Sequence, residues 1–177
     1  MIPLLAAALA LAAGTATAGA IPEPEGFRGE PYRAPVPASL EGATVIGAEE
    51  AVRLWQSGEA AFVDVLPRPP RPELPEGTLW HDPPHPTIPG ATWLPNTGYE
   101  RLSAEEEAYL AAGLSAASGG RRDRPLVIFC FSDCWMSWNA AKRAVALGYT
   151  RVHWFPDGID AWQLEALPTE NVEPFRP

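Results

Sequence analysis

The chain has two cysteines, and both stand in one short stretch, LVIFCFSDCWMSWNAAKRAVALGY, from Leu126 to Tyr149. An apolar run of strand length ends on Cys130, and Cys134 follows after Phe131, Ser132 and Asp133, with Trp135 against it and a helical pattern starting at once. A loop that leaves a strand and enters a helix turns several backbone N–H groups into its own concavity, and the helix dipole adds positive potential there. A sulfur in that bowl is stabilised as thiolate or persulfide. Three intervening residues allow a turn tight enough to bring the two α-carbons within the roughly 4.4 to 6.8 Å that a disulfide needs. The chemistry expected is thiol–disulfide exchange or persulfide transfer, with Cys130 as nucleophile and Cys134 as resolving thiol. Trp135 and Trp138 would wall the site, and Asp133, Met136 and Ser137 complete its surroundings.

Two other uses of the pair stay open. Cys130 and Cys134 could form a purely structural bond in a binding or accessory module, although so small a loop gains less from a disulfide than a long one does. Alternatively Cys130, Cys134 and Met136 offer soft ligands suited to Cu(I), to which His81, His85 or His153 could add an imidazole. His81 and His85 lie in a proline-rich segment, where exposed turn residues are expected; His153 alternates with apolar neighbours, as a satisfied polar face of a strand would. Neither cysteine belongs to a C-x-x-C-H haem motif, and no P-loop or glycine-rich dinucleotide fingerprint is present.

The elements that must position the sulfurs follow from periodicity. Ala48 to Gly58 has apolar residues at helical spacing with a glycine stop, and Ala61 to Val65 reads as a buried strand. Residues 66 to 90 are too rich in proline for a helix or a central strand and form a long insertion or lid. A brief strand is expected at Ala91 to Pro95, then a helix opened by the capping box Ser103-x-x-Glu106. Leu126 to Cys130 is a central strand, and a helix runs from about Trp135 to Leu147 with Gly148 as its stop. Arg151 to Phe155 is a further strand, and Ile159 to Leu167 a last helix. Alternating strands and helices predict an α/β domain with a central parallel sheet covered by helices on both faces, and sites in such sheets form at the carboxyl ends of the strands. Lys142 and Arg143, a full turn or more inside the helix, are expected to face solvent or surface carboxylates.

Composition frames the domain. The 177 residues are 46% hydrophobic and 20% charged, which reads as globular. Residues 1 to 20 contain no charged side chain and end in small-x-small sites, a pattern predicting a secretory signal peptide cut after Ala18 or Ala20. The missing Lys or Arg at its start leaves a retained anchor open. Export implies a disulfide-permissive setting, here the periplasm, with no membrane attachment after cleavage. Residues 21 to 43 form a Pro-rich arm, in which Tyr32 to Pro37 could dock on the domain or serve as plain linker; 44 to 167 form the domain and 168 to 177 a tail. A net charge of −9 argues against nucleic acid or an anionic membrane surface as partner.

The residues resemble the rhodanese-like domain. Phe62-Val63-Asp64-Val65 resembles its DVR strand, which brings Asp64 into the site's support; Ile88-Pro89-Gly90-Ala91 resembles its IPGA, and Asp157 to Trp162 its closing GGIxAW. Cys130 falls where rhodaneses keep the persulfide-carrying cysteine. A narrower resemblance, through Tyr32 to Pro37, Cys134 to Arg143 and Trp154 to Gly158, is to exported proteins named for a CXXCW motif and associated with PQQ-dependent alcohol catabolism. It implies a periplasmic partner, a quinoprotein dehydrogenase or a cytochrome; no cofactor is expected in the chain itself, since an acidic protein without a propeller-like repeat pattern does not suit the tricarboxylate PQQ. The spacing here is C-x-x-x-C. Leu66 replaces the arginine of DVR, and the loop after Cys130 is one residue longer than the usual sulfurtransferase loop. That length resembles the family's phosphatases, but Met136 stands where their phosphate-clamping arginine would be, which argues against phosphatase activity. Asp133 and two tryptophans offer a dianion such as thiosulfate no cation.

Overall fold

In the computed structural model, residues 21 to 177 other than 82 are described; the expected signal segment and its cleavage sites lie outside them. No helix among the described residues is long and apolar enough to cross a membrane.

Five strands form one parallel sheet: β1 (Ala43–Val45), β2 (Ala61–Asp64), β4 (Thr92–Trp93), β5 (Leu126–Phe129) and β6 (Val152–Phe155), in the spatial order β1-β6-β5-β2-β4. The central strand β5 is buried at all four positions, because helices cover both its faces. Over one face lie α2 (Ala104–Ser118) and α3 (Trp135–Ala146), closing a core with Val63, Val65, Leu126, Ile128 and Trp154. Over the other lie α1 (Ala48–Ser57) and α4 (Gly158–Leu164), with Phe62, Val127, Phe129 and Phe155. The α/β expectation therefore holds, and the glycine and capping signals act as read. Gly58 ends α1 in the left-handed region at φ 67°, and Ser103 and Glu106 form a full capping box on α2. Gly148, at φ 87°, lets Tyr149 N–H reach back to the Ala144 carbonyl past the end of α3.

Two segments read as irregular are tied down. Within the proline-rich stretch, β3 (Pro86–Thr87) pairs antiparallel with β7 (Glu170–Asn171) in the tail. The tail continues beside β4, where Phe175 N–H donates to the Trp93 carbonyl at 2.9 Å and Tyr109 Oη donates to the Phe175 carbonyl.

His153, central in β6, departs from the satisfied polar face expected of it. Its Nδ1 is buried and has no partner. Burial, aided by the Arg151 charge, lowers its pKa from the ordinary imidazole value, with Glu50 opposing. The unfolded chain therefore binds this proton more readily, and stability drops as pH falls through about 6.5. Between Thr44 and Val127 on the neighbouring strands, a valine fits the pleat. His153→Val is expected to raise stability by about 1 kcal/mol at neutral pH by removing the orphaned atom and to flatten the stability profile between about pH 7 and pH 5, measured as urea midpoints at several pH values.

Candidate functional site

The pleat decides which side chains can meet. Cys130 follows the last residue of β5 and, like Val63 and Val65 on β2, belongs to the core under α2 and α3. Cys134 is the N-cap residue of α3, with extended backbone. The bend between them turns through Asp133 at φ 53°, a left-handed conformation that aspartate tolerates better than most residues. The two sulfurs are joined in a disulfide with α-carbons 6.2 Å apart. Both are sealed, Cys130 at 0% exposure and Cys134 at 3%.

Four further residues expected around the sulfurs come together with them. Trp135, Met136, Ser137 and Trp138 form the first turn of α3 and are all buried. Trp135 and Trp138 meet edge to face at 5.5 Å. Ser137 is a brace: its hydroxyl donates to the Cys134 carbonyl at 2.8 Å and accepts from Trp154 Nε1 at 3.0 Å. Asp133 lies exposed on the outside of the bend.

Asp64 is elsewhere. Alternation sends it to the opposite face from Cys130, where its carboxylate is fully engaged: Oδ2 accepts from Thr87 Oγ1 at 2.6 Å and lies 2.8 Å from His85 Nε2, while Oδ1 accepts from Leu66 N–H at 2.8 Å. It supports the fold rather than the sulfurs. His85, expected as an exposed turn residue, is buried by this contact and by stacking on Trp93, ring centroids 3.8 Å apart. His81 is exposed as expected. Among the described residues, no group of three or more His, Cys, Asp and Glu is placed to hold a metal ion.

The bend is fastened from α4. Ile159 N–H donates to the Cys130 carbonyl at 2.8 Å, Ser132 N–H to Asp160 Oδ2 at 3.2 Å, and Ser132 Oγ to the Asp157 carbonyl at 2.9 Å. Gly158, at φ 51°, sits so close beneath that a methyl group there would run into the Cys130 carbonyl. Its neighbours are backbone, which cannot rotate away. Gly158→Ala is therefore expected to cost about 2 to 4 kcal/mol, combining overpacking with left-handed strain. It should also displace the bend, seen as altered tryptophan fluorescence and a lowered melting temperature.

Of the two readings of Tyr32 to Pro37, docking and plain linker, the structure shows docking, on the backbone of the bend that carries Cys134. Arg33 forms an antiparallel bridge with Cys134. Trp135 N–H donates to the Tyr32 carbonyl at 2.8 Å and Ala34 N–H to the Asp133 carbonyl at 3.0 Å. The Arg33 guanidinium lies over the Phe131 ring at 5.2 Å and pairs with Asp160 at 3.2 Å. The sequence offered Tyr32 to Pro37 as a docking candidate, but backbone pairing leaves no side-chain signal.

The outward side of α3 holds the rest of the arm. Asn139 accepts from Arg28 N–H at 2.9 Å and donates to the Arg28 carbonyl at 2.8 Å. Lys142 Nζ donates to the carbonyls of Pro24, Glu25 and Gly26. Arg143 is buried under Phe27, 3.8 Å from its ring centroid, with Nη2 on the Glu100 carbonyl at 2.8 Å and Nη1 unpartnered. Burial pulls its pKa below the ordinary arginine value, with Glu107 opposing. The two cations expected at the surface are thus spent on the arm and on the loop beside it. They give the site no charge. Arg33 brings one instead.

The comparisons bear on the fold. No curated protein matches the chain. Among solved structures, an EanB variant in complex with ergothioneine is 21% identical over 80% of this chain and 34% of that one, at a TM-score of 0.53. An EanB variant in complex with hercynine covers the same shares at a TM-score of 0.51. The polysulfide-sulfur transferase homodimer from Wolinella succinogenes is 17% identical over 73% of this chain and 79% of that one, at a TM-score of 0.46. This chain thus spans about a third of the EanB chains, and identities this low speak to the fold. The model of the rhodanese-like domain matches residues 48–165, the span that holds four of the five strands of the parallel sheet, the four helices and both cysteines, and the chain belongs to that family.

Proposed function

We propose that this rhodanese-like protein carries out thiol–disulfide or persulfide chemistry with the pair Cys130 and Cys134. The observation that carries the reading is a closed two-sulfur bridge between the carboxyl end of a central strand and the N-terminus of a helix. Cys130 is the nucleophile and the carrier of any persulfide. Cys134, at the start of α3, resolves it, because a helix N-terminus favours the thiolate it must become. An EanB variant bearing a cysteine persulfide, among the structural neighbours, is in keeping with this assignment. The uncharged N-terminal segment and the narrower resemblance to the CXXCW-motif proteins support a periplasmic role beside PQQ-dependent alcohol oxidation. The partner would be a quinoprotein dehydrogenase or a cytochrome.

A second reading has one observation in its favour: both sulfurs are sealed from solvent, as a purely structural disulfide would be. The test is to equilibrate the folded protein in glutathione buffers of graded potential and count free thiols by alkylation and intact mass. Redox work predicts a reversible two-electron transition within the range of known exchange proteins, about −120 to −270 mV. A bond that opens only when the protein unfolds overturns that reading and leaves the structural one.

A further inference from the structure

Resting on the exchange reading above, we infer that the edge Asp133 to Trp135 is a docking strand for an extended, basic, cysteine-bearing polypeptide, and that the chain's own arm occupies it as a stand-in. The arm shows what the edge accepts. On Trp135 and Asp133 themselves, Tyr32 and Ala34 use their backbone carbonyl and N–H, so another extended segment could make the same pairs; the Tyr32 side chain is held away from the sulfurs, on Tyr99 and Glu100 N–H. What selects among segments is charge. The arm brings two cations to this place: Arg28 lies over the Trp135 ring at 5.7 Å, and Arg33 reaches Asp160, the carboxylate that also holds Ser132 N–H. Asp133 and Asp157 stand on the bend and at the residue whose carbonyl takes Ser132 Oγ. A protein of net charge −9 with acidic groups around its sulfurs would recruit a segment carrying Arg or Lys and turn away an acidic one.

With the arm seated the pair is sealed, Cys130 fully and Cys134 nearly so, and Tyr32, Ala34 and Val36 of the arm pack against the core cluster that holds both. Once a dithiol segment takes the arm's place, one of its thiolates attacks Cys130 Sγ. A bond forms between the segment and Cys130, the Cys130–Cys134 bond breaks, and Cys134 leaves as thiolate at the start of α3. The segment's second thiolate then attacks its own bridged sulfur and releases Cys130. The segment ends as a disulfide, and the protein pair takes up two electrons and two protons.

The test uses two twelve-residue dithiol peptides, identical except that arginines in one are glutamates in the other, with dithiothreitol as a small neutral reductant. Loss of the Cys130–Cys134 bond is followed by acid quench and intact mass. For the wild-type protein at low salt, the arginine peptide is expected to react at least ten-fold faster than the glutamate peptide, with the ratio shrinking as salt is added. Asp160→Asn should erase most of that ratio. Ala34→Pro, which removes the N–H donated to Asp133, and Arg33→Ala, a milder change, should each speed both peptides several-fold by loosening the arm. If dithiothreitol opens the pair but the two peptides react alike, or neither arm variant speeds them, the docking edge is wrong while the exchange reading stands. A pair that dithiothreitol leaves closed in every folded variant overturns both.

Discussion

Replacing Cys134 by serine is expected to end reversible cycling altogether and to leave a stable adduct on Cys130. The serine hydroxyl at the N-cap of α3 is an adequate helix cap, so the fold should survive, and the lost bond spans only four positions, a loop whose closure contributes modestly to stability. What disappears is the sulfur that would attack the mixed disulfide. With oxidised glutathione, the variant should gain the mass of one glutathione on Cys130 and keep it for hours, whereas the wild type returns to its internal bond. Cys130→Ser should not mirror this. A thiolate at the helix N-terminus is a good leaving group, so an adduct on Cys134 should be lost quickly to added thiol. Equal lifetimes of the two adducts would remove the assignment of nucleophile and resolving thiol.

Asp64→Ala is expected to cause the largest loss of stability. That carboxylate, 1% exposed, serves Thr87, His85 and Leu66 N–H at once, so its removal strands two buried side chains and a part-buried N–H. Breaking such a network costs about 3 to 5 kcal/mol, which for a domain of this size lowers the melting temperature by roughly 10 °C. The damage should centre on the proline-rich segment, which Asp64 anchors through His85 and Thr87. Limited proteolysis should cut between residues 66 and 84 far faster in the variant than in the wild type. Asp64→Asn, which keeps the shape and part of the hydrogen bonding, should recover a good part of the loss. A melting temperature within 2 °C of wild type for the alanine variant would mean that the network contributes little.

How much of this was legible in the sequence depended on whether a residue's role lies in its side chain. Leu126 to Phe129 and the helices of the domain could be read because burial on one or two faces imposes a period. Ala43 to Val45 could not: it is an edge strand with two of its three residues exposed, so no alternation marks it. The sulfur pair was legible because two cysteines four apart at a strand end have few other uses. Asp64 was misplaced beside the sulfurs because a residue one pleat away points to the opposite face. His85 was misjudged for a related reason: proline density foretells a chain without helix or central strand, but not a chain without burial. The arm was hardest. Much of its grip comes from backbone pairs and from Lys142 on three carbonyls, which do not constrain residue type in the arm, and the side chains that do take part, Phe27, Tyr32 and Arg33, meet partners more than sixty positions away.

The clasp of α3 on the arm also bears on the order in which the molecule assembles. Asn139 meets Arg28 across 111 positions and Lys142 meets Pro24 across 118, whereas the sulfurs are four positions apart. Closing the longer loops costs far more chain entropy, and contacts of such high contact order form late. The sulfurs therefore belong to the local, early part of assembly and the arm to its completion, so an oxidant meets the thiols of a nascent chain before the arm is in place.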